Sequence, residues 1–256
     1  MRLKLISCAV FHREMCAAVA RSPHQVDMDF LPKGLHDLPT SEMQARVQAM
    51  LDAVDATAYD AVIFGYGLCN NGLKGLRAGD IPIVLPRAHD CITLFFGSRE
   101  KYLDYFKRCP GTYFKTSGWI ERGDIAGDLS QLSIQQQTGM NATYEELVEK
   151  YGEDNAGFLY DTLCQHTRNY GRFTFIEMGI EPDDRFERQT LADAEEKGWA
   201  FEKVRGDMTL ITRLVNGVWD DEDFLVVQPG RRIGTTYDED IIMAEPLESD
   251  GTRSQA

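Results

Sequence analysis

Positive charge is scarce in this chain. Its 27 Lys and Arg stand against 41 Asp and Glu, a formal net charge of −14 over 256 residues. A surface that neutralises phosphates needs clustered Lys and Arg, so a nucleic-acid partner is not expected, and an anionic membrane surface is disfavoured too. No apolar run approaches the roughly 20 residues of a membrane helix. The opening MRLKLISCAVF is interrupted by His12, Arg13 and Glu14, too early for a signal peptide, which points to a cytoplasmic protein. Local signatures are missing as well. There is no Cys-x-x-Cys pair, no GxxxxGK[ST] loop and no GxGxxG fingerprint.

What remains is an ordinary globular composition, 43% hydrophobic and 27% charged. The first 120 or so residues alternate β-like and α-like stretches. Strands are expected at Leu3–Phe11, Val26–Leu31, Tyr59–Tyr66, Ile81–Leu85 and Thr112–Trp119. Helices are expected at Glu14–Ala20, after a Ser41/Gln44 capping box, and at Ser98–Arg108 with Tyr102, Tyr105 and Phe106 turned inward. Residues 121–166 are polar and read as a helical connection, with a second capping box at Thr143 and Glu146. From Phe173 the alternation resumes through FTFIEMG, a helix at Asp183–Lys197, a strand at Trp199–Val204, a helix at Asp207–Val218 and a strand at FLVVQPG. The expected fold is α/β: a Rossmann-like parallel sheet with helices on both faces, in two lobes joined by a helical connection, the alternative being that the second half extends the first sheet. The lobes are placed at 1–122 and 171–248, the connection at 123–170 and a disordered tail at 249–256.

Chemistry concentrates in IPIVLPRAHDCITLFFGSRE, where an apolar run and a proline stop lead into Arg87, His89, Asp90 and Cys91. Parallel strands deliver functional groups at their carboxyl ends. On that rim Cys8 ends the first strand, Cys69 follows the third, and His89 and Cys91 follow the fourth. Three thiols and an imidazole from separate loops suit zinc or an iron–sulfur cluster with one position left open for a small-molecule ligand. The plain alternative is that the cysteines are small buried hydrophobes, the reading given to Cys16, Cys109 and Cys164. Cys91 also allows a nucleophile: in the first turn of a helix begun by Asp90, its thiol would be acidified, with His89 as base. His89 and Asp90 are thus the candidate catalytic residues. Gly67 in GYGLCNNG, Arg87, and Ser98 with Arg99 at a helix start are candidates for holding a cofactor. Gly67 serves a turn and Ser98 an ordinary cap in the plain reading.

SCAVFHRE, GYGLCNNG with LRAGDIPIVLPRAHDCITLFFGSREKY, and PGTYFKTSGWIE resemble the domain of unknown function called DUF1638. The resemblance is strongest from about Tyr59 to Glu121 and supplies no activity. It implies that Cys8, Cys69, His89, Asp90 and Cys91 lie in the family's hallmark motifs. It also implies a setting in anaerobes beside corrinoid-dependent methyltransferases, so a corrinoid protein or methyltransferase is the partner it suggests. An accessory binding role without catalysis is the corresponding alternative. The DxHxxG pattern of a base-off corrinoid domain is absent around His12, His24, His36, His89 and His166.

Overall fold

Apolar runs at Leu5–Ile6, Ala61–Phe64 and Ile83–Leu85 are buried on both faces, the pattern of strands covered from two sides. In the computed structural model, which describes residues 1–69, 71–123, 143–160, 169–236 and 238–247, these runs form the centre of a five-stranded sheet. Its strands are β1 (Arg2–Cys8), β2 (Gln25–Leu31), β3 (Ala61–Gly65), β4 (Ile83–Pro86) and β8 (Phe224–Val227), in the order β2-β1-β3-β4-β8. β1 to β4 run parallel, with Cys8 opposite Leu31 and Ser7 opposite Gly65. The chain steps from β1 to β2 and then back across β1 to β3. Right-handed crossovers therefore place α1 (His12–Val19) and α2 (Thr40–Asp52) on opposite faces. That reversal makes the gap between the carboxyl ends of β1 and β3 a switch point, where α/β sheets open a crevice.

A second, all-parallel sheet has the order β5-β6-β7, from β5 (Thr112–Lys115), β6 (Arg172–Glu177) and β7 (Ala200–Arg205). α8 (Arg185–Lys197) packs on β6 and β7, and α9 (Thr209–Val215) packs against α1, β3 and β4. Between β4 and β5 lie α3 (Cys91–Phe96) and α4 (Arg99–Arg108). α5 (Ser117–Glu121) follows β5, then α6 (Tyr144–Tyr151) and α7 (Glu153–Leu159). A hairpin of β9 (Arg231–Thr235) and β10 (Ile242–Pro246) closes the described chain.

Several expectations need correction. β8 pairs antiparallel to β4, and it belongs to the first sheet although it was placed in the second lobe. Its FLVV pattern reads the same in either direction. β5, expected in the first lobe, instead pairs with β6. The predicted strand Thr112–Trp119 stops at Lys115, because the Thr116 hydroxyl accepts a hydrogen bond from the Trp119 N–H and caps α5. α2 starts two residues earlier than a Ser41 cap would allow, from Pro39, whose carbonyl accepts from Glu42 and Met43 N–H. Gln44 instead donates to the Asn71 carbonyl. Phe106 is 51% exposed rather than inward. The hairpin was not foreseen. The Thr143/Glu146 capping box is present as expected. Gln135–Gln137, Cys164, His166 and the tail from Ser249 lie outside the described residues.

Tyr105 ties α4 to the second sheet. Its hydroxyl lies 2.6 Å from Thr174 Oγ1 and donates to Glu202 Oε2 at 2.7 Å, and Glu202 also accepts from Arg172 at 2.6 Å. Thr174 is fully buried. Tyr105→Phe is therefore expected to cost about 1–3 kcal/mol, the penalty of leaving a buried hydroxyl unpaired. Denaturant unfolding monitored by circular dichroism measures it; an unchanged midpoint would show that the hydroxyl carries no such tie.

Candidate functional site

The site is assembled from three strand ends. Cys8 is the last residue of β1, Cys69 lies in the loop after β3, and Cys91 opens α3 after β4. Two loops are zipped together behind the thiols: Leu68 N–H donates to the Ala88 carbonyl at 2.7 Å and Cys69 N–H to the His89 carbonyl at 3.0 Å. Gly67 permits this closeness, since a Cβ there would meet the Asp90 backbone at 2.6 Å. Cys69 itself has φ +42, a left-handed conformation that side chains other than glycine adopt at a cost. Asp90 caps α3, its Oδ1 accepting from Ile92 and Thr93 N–H at 3.0 and 3.3 Å.

Cys8, Cys69 and Cys91 line one cavity of about 270 Å³, together with Lys33, His36, Tyr66 and Trp119. All three are free thiols. Burial is the main reason their pKa values rise, to about 11 for Cys8 and about 12 for Cys69, with Cys91 pushed well above the ordinary thiol. Nearby acidic groups add to this: Cys8 and Asp90 at Cys69, and Cys69, Asp90 and Cys8 at Cys91. The Tyr66 hydroxyl lies toward Cys8 and the Trp119 indole N–H toward Cys91. Neither completes a hydrogen bond, yet each is near enough to favour the thiolate. Lys33 stacks on Trp119, with Nζ 4.3 Å from the ring centroid, and burial lowers its pKa while Asp37, Cys8 and Cys91 oppose the fall.

The structure thus brings together the three predicted cysteines, Gly67 and Asp90. It does not bring His89, which is exposed and lines a different cavity beside Arg99; only its carbonyl reaches Cys69. The expected acidified Cys91 with His89 as base is reversed on both counts, because burial outweighs a favourable place in a six-residue helix. Arg87 donates to the carbonyls of Asp221, Asp240 and Ile242, and Arg99 to those of Glu239 and Glu222. Both guanidinium groups fasten the segment around β8 and the hairpin instead of lining the thiol cavity. Ser98 caps α4 through the Lys101 N–H. Among the described residues, no three His, Cys, Asp or Glu side chains are grouped as ligands of a single metal ion.

Lys33, His36 and Tyr66 were not singled out from the sequence as parts of this site. PKGLHD directly follows β2, which lies beside β1, so its Lys and His were legible as rim residues once that order was known. His36 is engaged already, with Nδ1 on the Lys33 carbonyl and Nε2 3.2 Å from Asp37.

Comparison with family models finds one match, described as "Protein of unknown function (DUF1638)", over residues 30–215. Cys69, His89, Asp90 and Cys91 fall inside the matched span and Cys8 outside it. No curated protein and no solved structure matches the chain.

Proposed function

The chain belongs to the DUF1638 family, which lends no activity, and we propose from the site itself that it holds an iron–sulfur cluster on Cys8, Cys69 and Cys91 with one iron left open to a small molecule. One observation carries this reading: three free cysteines from separate strand ends line a single cavity at the switch point of the sheet. A lone zinc ion requires every sulfur at about 2.3 Å from one point, and the thiols are not grouped that way. A cluster spreads its ligands over several irons and asks for a cavity between them.

The wall suits such an occupant. Tyr66 and Trp119 bring buried polar hydrogens that have no partner of their own to the Cys8 and Cys91 sulfurs, where hydrogen bonds tune a cluster. Lys33 supplies positive charge beside the same two sulfurs. Thiols held protonated by burial must release their protons on ligation, so loading is favoured as pH rises. When bound, the cluster supplies an iron with an open coordination position for a ligand or an electron. A corrinoid protein or methyltransferase as partner rests on the sequence resemblance alone.

Protein purified without oxygen should contain stoichiometric iron and acid-labile sulfide. Both should be lost in each of Cys8→Ser, Cys69→Ser and Cys91→Ser, and kept in Cys16→Ser and Cys109→Ser. An anaerobic preparation of folded protein without stoichiometric metal would sink the proposal.

A further inference from the structure

Beside the thiol cavity lies a larger one of about 770 Å³ that shares Asp90, Ile92 and Trp119 with it. Its remaining walls are dominated by Tyr102, Phe106, Tyr113, Phe114 and Tyr170. We propose that this cavity binds an organic cation of the methylated-ammonium class, with Asp90 as the counter-charge. The inference goes beyond the cluster reading and holds whether or not the thiols carry metal.

The rings meet edge to face and do not stack flat. Tyr113 and Tyr170 cross at 83° with centroids 5.4 Å apart, Tyr102 and Phe114 at 71° and 5.9 Å, and Tyr102 and Phe106 at 65° and 6.3 Å. Crossed rings around a concavity present π-faces from several directions, the arrangement that holds a cation by its charge. Phe106 and Tyr170 are 51% and 36% exposed, so the walls are reachable from solvent.

Among the described residues, Asp90 is the only charged side chain in the lining. Its Oδ2 accepts from the Tyr102 hydroxyl at 3.1 Å, and its Oδ1 is taken up by the α3 cap. Among the described residues no Lys, Arg or His forms an ion pair with it, whereas Lys33 sits against Trp119 from the thiol side. A carboxylate set in an aromatic wall is costly without a positive partner.

The lining also selects among cations. A divalent metal needs several oxygen ligands, and this wall offers one carboxylate. Neutral oxygens of Thr112, Asn169 and the tyrosines are the acceptors left beside Asp90, and a primary ammonium or guanidinium requires one for each of its N–H groups. A fully methylated ammonium has none, and its methyl groups pack on aromatic faces while its charge is met by the rings and Asp90.

Calorimetric titration of the full chain with tetramethylammonium and with choline tests the inference against the neutral carbon isostere of choline. Both cations should bind, and the isostere at least about tenfold more weakly. Tyr113→Ala and Asp90→Asn should each weaken the cations at least about tenfold. Asn caps a helix as well as Asp does, so Asp90→Asn removes charge while keeping α3, which circular dichroism verifies. No binding of tetramethylammonium up to about 10 mM, equal affinity for the isostere, or undiminished binding by folded Asp90→Asn would each overturn the proposal. The titration reads binding and not metal, so its failure leaves the cluster reading to the iron analysis.

Discussion

Gly118→Ala is expected to destabilise the protein by about 3 kcal/mol, the upper end of what overpacking costs, and to open the thiol cavity as it does so. A Cβ at position 118 would lie 1.7 Å from the Val10 carbonyl oxygen and 2.6 Å from its carbon. The obstacle is backbone, not the yielding end of a side chain. α5 would have to retreat from the 3₁₀ turn Ala9–Phe11 by about 1.5 Å to restore an ordinary carbon–oxygen separation. That turn directly follows Cys8, and the next residue of α5 is Trp119, which walls both cavities. α5 is also fastened by the bidentate Arg13–Glu121 pair, at 2.9 and 2.8 Å, and by Lys33 on Trp119. Displacement therefore pulls against contacts from two other elements. The expected loss in Tm is about 5–10 °C for a chain of this size, with a shift in tryptophan emission and loss of bound iron. Gly157→Ala is the control: it lies in α7, and nothing stands within 4 Å of a Cβ there. Wild-type melting by Gly118→Ala would show that the close approach of α5 to the turn is dispensable.

The contrast between these two glycines indicates what the sequence could convey. Strand runs were readable because parallel strands buried on both faces are continuously apolar, and their carboxyl ends placed Cys8, Cys69 and Cys91 on one rim. That much follows from short-range pattern and the chirality of crossovers. His89 and Cys91, two residues apart, were read as neighbours on one side; the zipping of Cys69 N–H to the His89 carbonyl turns the imidazole away. Arg87 and Arg99 were read as cofactor contacts, but their partners are carbonyls distant in the chain, which no local pattern reveals. Thr116-Ser117-Gly118-Trp119 continued a strand by composition. A single hydroxyl cap and a glycine without steric bulk instead turn it into the helix that carries a cavity wall.

Glu14 is one of the three residues that interrupt the apolar start of the chain, and its carboxyl is buried, with neither oxygen bonded to another residue. Burial above all raises its pKa from 4.5 to about 7. Glu181 and Glu121 add to the rise, while a backbone hydrogen bond and Arg13 oppose it. Below about pH 4.5 the folded and unfolded chains both hold this proton, and the stabilising difference is fully present. As pH climbs toward 7 the unfolded chain releases the proton and the folded chain keeps it, so stability falls. Above about pH 7 the ionised group is buried without a partner, at a total cost of about 3 kcal/mol. Glu14→Gln keeps the shape and polarity but cannot ionise. Its unfolding free energy should therefore lack the decline of about 3 kcal/mol that the wild type shows between about pH 5 and pH 8. Urea titrations across that range on both proteins measure the difference in slope. Parallel profiles would mean that Glu14 is ionised, and compensated, in the folded chain throughout. A flatter profile in the variant would locate the pH sensitivity in α1, the helix whose Arg13 grips α5 and so holds the wall of the thiol cavity in place.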